Sequence, residues 1–324
     1  MALCAPMKRL LPGAALTVLL ALQTAPVDAQ ASARQVAGKT SPSPLAPGEI
    51  VANAPQTDWV RIAPSDLLVM DLAPDAAGTA RRVVIQLMPA PFSQGWVGNI
   101  RKLAAARFWD GLSINRVQDN YVVQWGDGDA EDAAKARALP VGLRTMTESE
   151  YVAPVTGRIT PSAAAGRDAY AANVAVKGGW PIGFDGKAQW PVHCYGMVGV
   201  GRDLSPNTGT GAELYVVIGH APRHLDRNIA LVGRVVEGIE HLSSLPRGTA
   251  GLGFYDKPEQ RTGIRAIRLG NEVPDLPAYE YLSSESGSFA RYAEARANRR
   301  DAFFIRPAGG ADICNITVPV RRAK

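Results

Sequence analysis

The chain has 324 residues, with 35 Lys and Arg against 30 Asp and Glu for a formal net charge of +5. That charge is mild for the size and the basic residues are scattered, so no nucleic-acid partner is implied and a solvated surface is the default. Its three cysteines form no Cys-x-x-Cys pair and its four histidines no tight ligand spacing, which argues against a redox motif, a zinc ribbon or another metal site.

The first 29 residues read as a secretory signal. Lys8 and Arg9 make a basic start, Leu10 to Leu22 is mostly apolar, and Val27-Asp28-Ala29 supplies small residues before a cut. The apolar run is broken by Pro12 and Gly13 and is short for a membrane span; an uncleaved anchor is the rival reading. Cleavage would remove two bases and one acid, leaving a net charge of +4. The mature protein is expected to be exported, to a periplasm, as a soluble monomer with no stable membrane insertion. Cys194 and Cys314 would remain. An oxidising compartment favours a disulfide between them; two separately buried thiols fit the sequence equally well.

Residues 30–57, rich in Ala, Pro, Ser and Gln without an apolar period, read as a linker. Leu67–Leu72 and Arg82–Leu87 are strand-like and separated by a turn region, a natural hairpin. Pro91 to Arg107 places Trp96, Ile100, Leu103 and Ala104 at helical spacing, and Asp110-Gly111 ends it. Next comes Ile114-Asn115-Arg116-Val117-Gln118-Asp119-Asn120-Tyr121-Val122-Val123-Gln124-Trp125-Gly126-Asp127. Arg116 and Gln124 stand eight residues apart, and an even spacing along an extended segment sends both to one face, with Val122 between them. A cation and an amide beside apolar side chains suit a site that holds a peptide carbonyl against an apolar pocket. The bland alternative is an ordinary strand with a surface arginine.

Residues 128–195 make a long connection, of the kind that is functional or has structure of its own. Within it, the alanine-rich run 129–139 suggests a short helix, while Gly178-Gly179-Trp180-Pro181 and Trp190-Pro191 suggest loops. Gly263–Leu269 reads as a closing strand. Beyond it, residues 275–324 form an extension with a basic helix over 288–303 and a strand-like run from Ile313 to Val320.

The Arg116-to-Gln124 segment resembles the cyclophilin signature, in which an aromatic-His-Arg-Val run leads into Gln-Gly-Gly-Asp. Two further blocks follow in the family's order: Ser205-Pro206-Asn207-Thr208-Gly209-Thr210-Gly211-Ala212-Glu213-Leu214-Tyr215, and Leu225-Asp226-Arg227 through Val232-Gly233-Arg234-Val235. The resemblance implies a mainly β fold: a closed antiparallel cyclophilin-like barrel over 58–274 with capping helices, the long insertion, and the C-terminal extension packed outside. It implies peptidyl-prolyl cis-trans isomerisation of proline-containing segments of exported proteins, without a cofactor. Arg116 and Gln124 fall on catalytic positions. Tyr121, Val122, Tyr215 and Leu225 fall on the proline slot, and Glu213 on the groove.

The chain departs from the pattern at several of these places. Asn115 stands where the family has histidine, on what alternation makes the other face. Trp125 replaces a glycine, which would narrow the site, and Glu213 replaces a glutamine, where it would pair with Arg116. Tyr215 replaces a phenylalanine and needs a partner for its hydroxyl. Asp203 falls at a groove asparagine, and Ile229 at a pocket histidine. Trp125 and Glu213 motivate the alternative function, a binding module or chaperone that keeps the groove without turnover.

Overall fold

The computed structural model describes residues 44–324. The expected signal segment and residues 30–43 of the expected linker lie outside the described residues. The described chain opens with a short helix, α1 (Pro47–Ala52), which Pro47 starts with its fixed φ. The linker expected as far as residue 57 therefore gives way earlier. Ile50 and Ala54 bury against a C-terminal helix, a tertiary contact that local composition does not reveal.

β1 (Trp59–Ile62) is followed by β2 (Leu67–Leu72) and β3 (Arg81–Leu87), which form the expected hairpin in register from Leu67↔Gln86 to Leu72↔Arg81. Asp75 shapes its turn by accepting from the N–H groups of Ala77 and Thr79 at 2.9 and 2.8 Å, the local bonding that favours Asp in turns. α2 (Gln94–Ala105) buries Trp96, Ile100, Leu103 and Ala104, the face given by helical spacing. Its fully buried Asn99 accepts from the Arg144 N–H and donates to the carbonyls of Arg144 and Thr210. One amide thus ties two loops to the helix.

β4 (Ser113–Val117) and β5 (Val122–Gly126) form the next antiparallel pair. Residues 129–139 are turns and coil rather than the short helix suggested by their alanines. Asp127 and Asp132 take the N–H groups of Asp129, Ala134 and Arg137, and such bonding competes with a helix for the backbone. The insertion then builds a four-stranded sheet from β6 (Ala153–Pro154), β7 (Asn173–Lys177), β8 (Trp180–Phe184) and β9 (Ala188–Pro191), in the order β6-β9-β8-β7. The Trp-Pro stretches expected as loops lie in β8 and β9.

β10 (Met197–Val200), β11 (Leu214–Val217), β12 (Leu231–Glu237), the single turn α3 (Glu240–Ser243) and β13 (Thr262–Leu269) complete the barrel. Eight strands close in the order β10-β11-β5-β4-β13-β2-β3-β12, with every neighbouring pair antiparallel. The interior is filled by Met70, Ile85, Ile114, Val123, Trp125, Val216 and Leu231, among others, all of them at most 1% exposed.

The extension contributes β14 (Tyr279–Leu282), α4 (Gly287–Ala297) and β15 (Val320–Arg322), and the order β1-β14-β15 makes a separate antiparallel sheet. It packs on the outer side of β2 and β3 through Ile62, Leu67, Val84 and Tyr279. α4 ends at Ala297, short of residue 303. The run from Ile313 is not a strand: Asp312 caps a tight turn over Ile313–Asn315 by accepting from the Cys314 N–H. Cys314 is joined to Cys194, 120 positions away in sequence, tying the end of the insertion to the extension.

Barrel, insertion and extension meet at Arg234 of β12. Its guanidinium is buried with no carboxylate partner among the described residues. It donates from Nε and Nη2 to Gln86 Oε1 and from Nη1 to the Gly179 carbonyl at 2.7 Å, and it lies 4.5 and 5.6 Å from the rings of Trp180 and Tyr281. Burial pushes its pKa down to about 10. Gly179 sits at φ +80°, and a Cβ there would meet the Tyr281 ring at 2.6 Å, so the close approach requires glycine. Arg234→Ala leaves two buried acceptors without donors and should lower stability by about 2–4 kcal/mol in urea titrations. Arg234→Lys should recover less than half of that loss, since an ammonium cannot reproduce the fork.

Candidate active site

Arg116, Gln124, Tyr215 and Gly199 form one rung across four neighbouring strands. Arg116 pairs with Gln124 between β4 and β5, Gln124 with Tyr215 between β5 and β11, and Tyr215 with Gly199 between β11 and β10. Directly opposed residues of antiparallel strands share a face, so the three candidate side chains project together away from the barrel interior. Gly199 leaves room for them, since a Cβ there would lie 2.3 Å from the Tyr215 ring.

The shared face of Arg116 and Gln124 does not come from even spacing along one strand. Residues 118–121 are a turn between two strands, and the register shifts between Ile114↔Trp125 and Arg116↔Gln124. That shift is a β-bulge at Asn115. Without it, residue 116 would share the inward face of Ile114, because strand side chains repeat every two residues. Asn115 is therefore no passive replacement on a far face. It is buried, donates to the Gly126 carbonyl at 3.0 Å and accepts from the Ser113 hydroxyl at 2.7 Å.

Half-buried Arg116 is held on several sides. Nη1 donates to Gln124 Oε1 at 3.0 Å, Nε to the Leu252 carbonyl at 2.7 Å, and Nη2 to Gln118 Oε1. The rings of Tyr121 and Phe254 lie 5.6 and 5.4 Å from the guanidinium carbon. Burial lowers its pKa, opposed by Tyr121 and Glu213. Leu252 occupies the left-handed region at φ +59°, rare for a leucine, and strain of this kind gathers at functional sites.

Beside the guanidinium lies a cleft of about 130 Å³ walled by Tyr121, Val122, Gln124, Tyr215, Leu225 and Ile229. Val122, Tyr215 and Val217 pack as a small apolar cluster of their own, separate from the barrel core. A second cleft of about 370 Å³ adjoins it across Gln124 and Gly201, with Glu213 and Asp203 in its wall. The sequence-derived residues thus gather in one groove, with Glu213 in the second cleft. Among the described residues, no three His, Cys, Asp or Glu side chains gather as a metal site requires, and no helix is long and apolar enough to cross a membrane.

A model of the family described as cyclophilin type peptidyl-prolyl cis-trans isomerase/CLD matches residues 77–269. The chain belongs to that family of isomerases. Among solved structures it is similar to cyclophilin AquaCyp293 from Hirschia baltica, at 18% identity and TM-score 0.59 over 82% of this chain and 94% of that one, a likeness of fold. A cyclophilin type isomerase of Cryptosporidium parvum, crystallised in the presence of the dipeptide Ala-Pro, aligns over 62% of this chain and 98% of its own at 10% identity. Its TM-score is 0.36. No curated protein matches significantly.

Two further departures from the cyclophilin pattern act differently from what the sequence suggested. Trp125 does not narrow the groove: alternation along β5 turns it into the barrel, where it is fully buried while Gln124 faces out. Glu213 does not pair with Arg116; its Oε1 accepts from Gln124 Nε2 at 2.7 Å. Gln124 is thereby oriented, its oxygen toward Arg116 and its nitrogen toward Glu213.

Sequence reasoning missed what stands behind Tyr215. The Tyr215 hydroxyl lies 2.9 Å from His193 Nε2, and His193 Nδ1 lies 2.9 Å from Asp226 Oδ1. Arg223 donates to Asp226 Oδ2 at 2.6 Å and to both oxygens of Asp168. The signal was the tyrosine itself, a buried hydroxyl in need of a partner. Leu252 and Phe254 left no comparable trace.

Burial pushes the Glu213 carboxyl above its ordinary range, with the Gln124 bond opposing and Asp203 reinforcing the shift. The folded state then holds this proton more tightly than the unfolded state, so this group's contribution to stability rises as pH falls from neutrality through the raised value. Glu213→Gln should raise Tm at pH 7 by roughly 1–2 °C, what about 1 kcal/mol brings in a chain of this size, and should remove the acid-side gain. Superimposable Tm-against-pH curves for the two proteins would contradict this account.

Proposed function

We propose that this cyclophilin accelerates cis-trans isomerisation of X-Pro bonds in exported polypeptides, with Arg116 stabilising the twisted amide. The single observation that carries the reading is the rung itself, which holds a guanidinium, an amide and an aromatic ring side by side along an apolar cleft. Rotation of an X-Pro bond breaks amide resonance against a barrier of about 18–20 kcal/mol. Neither nucleophile nor metal is required to lower it. At mid-rotation the prolyl nitrogen loses conjugation and becomes an acceptor, so a donor aimed there favours the transition state over either ground state.

Arginine suits this work. Its guanidinium carries five N–H donors; three serve Leu252, Gln124 and Gln118, leaving two without a partner among the described residues, and the side chain lines the cleft. The three fixed bonds preorganise the cation, so little reorganisation accompanies the reaction. Tyr121, Val122, Tyr215 and Leu225 would hold the prolyl ring, and Gln124 would keep the guanidinium in plane. The reading of a groove without turnover loses half its motive, because Trp125 lies in the core.

Export is supported by the basic, then apolar, then small-residue pattern of residues 1–29. The Cys194–Cys314 bond adds to it, since disulfides persist in oxidising compartments. N-terminal sequencing of the secreted protein should find a start just after Ala29.

The central test is cis-trans exchange of an Ala-Pro tetrapeptide. Arg116→Ala should lower kcat/KM by about 10²–10³-fold, the usual cost of one transition-state donor, with Arg116→Lys recovering little of it. A folded wild-type protein that leaves exchange at its uncatalysed rate, with several different residues before proline, would sink the isomerase reading.

A further inference from the structure

The buried chain behind Tyr215 has no part in the reaction as described, yet it ends on a wall of the cleft. We infer that His193 is a positioning residue for proline binding: as a neutral imidazole it accepts the Tyr215 hydroxyl proton and locks that ring as the back wall of the pocket. This inference rests on the isomerase groove proposed above.

The bonding assigns the protons. Asp226 Oδ1 accepts from the backbone N–H of His193 as well as facing its Nδ1, each at 2.9 Å, so Nδ1 carries the hydrogen and Nε2 is left as an acceptor. Tyr215 then donates its O–H to Nε2, and every proton in the chain has a partner. A protonated imidazole would instead donate from Nε2 and strand the hydroxyl proton in a buried site. Burial also lowers the pKa of His193, opposed by Asp226, and pushes that of Tyr215 well above its ordinary value. Both groups are therefore neutral. Proton transfer to make a tyrosinate nucleophile has no support.

The chain is anchored at its far end. Asp226 is held by Arg223, and Arg223 by Asp168, which sits in the insertion; all three side chains are at most 4% exposed. The rings of His193 and Tyr215 lie nearly parallel, 12° apart, with their centroids 6.4 Å apart, so the imidazole meets the phenol end-on and holds it by the hydroxyl. One neighbour in sequence, Cys194 carries the bond to the extension. The insertion thus has a role in the site: it buttresses the proline wall from behind. A ring held in place before binding loses less freedom on binding, and affinity gains by that amount.

The test is titration of an Ala-Pro tetrapeptide by NMR, with exchange rates measured on the same samples. His193→Ala should weaken Kd about fivefold, as loss of one ordinary hydrogen bond does, while kcat changes little. His193→Gln presents a carbonyl near the place of Nε2 and should return Kd to within about twofold of wild type. In a Tyr215→Phe background, His193→Ala should add no further loss, because the hydroxyl link is already gone. The ¹⁵N shifts of wild-type His193 should report the Nδ1–H tautomer.

A folded His193→Ala protein with wild-type Kd, or an equal loss in the Tyr215→Phe background, would show a general packing role and overturn the inference. Should His193→Ala fail to fold, an Nε2–H tautomer in the wild type overturns it independently. A wild type that binds the peptide without accelerating exchange refutes the isomerase reading and leaves the His193 test intact. Absence of binding by the wild type refutes the pocket and His193's role in it together.

Discussion

A single cross-strand register holds the site together. Arg116, Gln124, Tyr215 and Gly199 face the same groove because β4, β5, β11 and β10 pair at these residues. Closure of the barrel makes that register hard to slip: a one-residue shift would send each strand's apolar set to the wrong side. Interior side chains such as Ile114, Val123, Trp125 and Val216 are therefore part of the site's precision although these four do not line the groove. The Asn115 bulge is one of several register shifts in the barrel; others lie at Val198/Gly199, Val235/Glu237 and Ile264/Ala266. The shift at Asn115 reverses the parity of β4 at the point where a cation must leave the inward face.

Arg234 and Arg223 are buried where bonds meet them. Arg234 donates to two oxygens and lies against two rings at the junction of three structural units. Arg223 sits between two aspartates, and those bonds outweigh the burial that works against its charge. In low dielectric such satisfied networks fix one arrangement, because losing any member strands the others. The insertion and extension are connected to the barrel through these two clusters, the disulfide and the apolar contacts of β14. They are bracing for the barrel wall rather than separate modules.

The groove is likewise held from two directions. In front, Leu252, Gln118 and Gln124 take donors from Arg116. Behind, the imidazole of His193 meets Tyr215. The proposed catalysis by placement of a donor would need this stiffness, since the reacting bond rotates while the groups around it stay fixed. The left-handed Leu252 carbonyl is one local cost of that arrangement.

The sequence by itself determined the elements whose signal is local. Alternation and turn chemistry marked the β2–β3 hairpin, helical spacing marked α2, and the three blocks around Arg116, Pro206 and Leu225 marked the family and most groove residues. It went astray where distant parts of the chain decide the outcome. α1 reads as linker because the partner of Ile50 lies in the extension, and residues 129–139 read as helix because propensity ignores the aspartates that cap their turns. Trp125 and Gln124 are adjacent in sequence, but only the closed barrel sends one to the core and the other to the groove. Spacing pointed Arg116 and Gln124 to one face, and tertiary structure put them there through a turn and a bulge. His193 and Asp226 stand 33 residues apart. Spacing cannot join them, because a folded chain satisfies its buried polar groups with whatever the fold brings near.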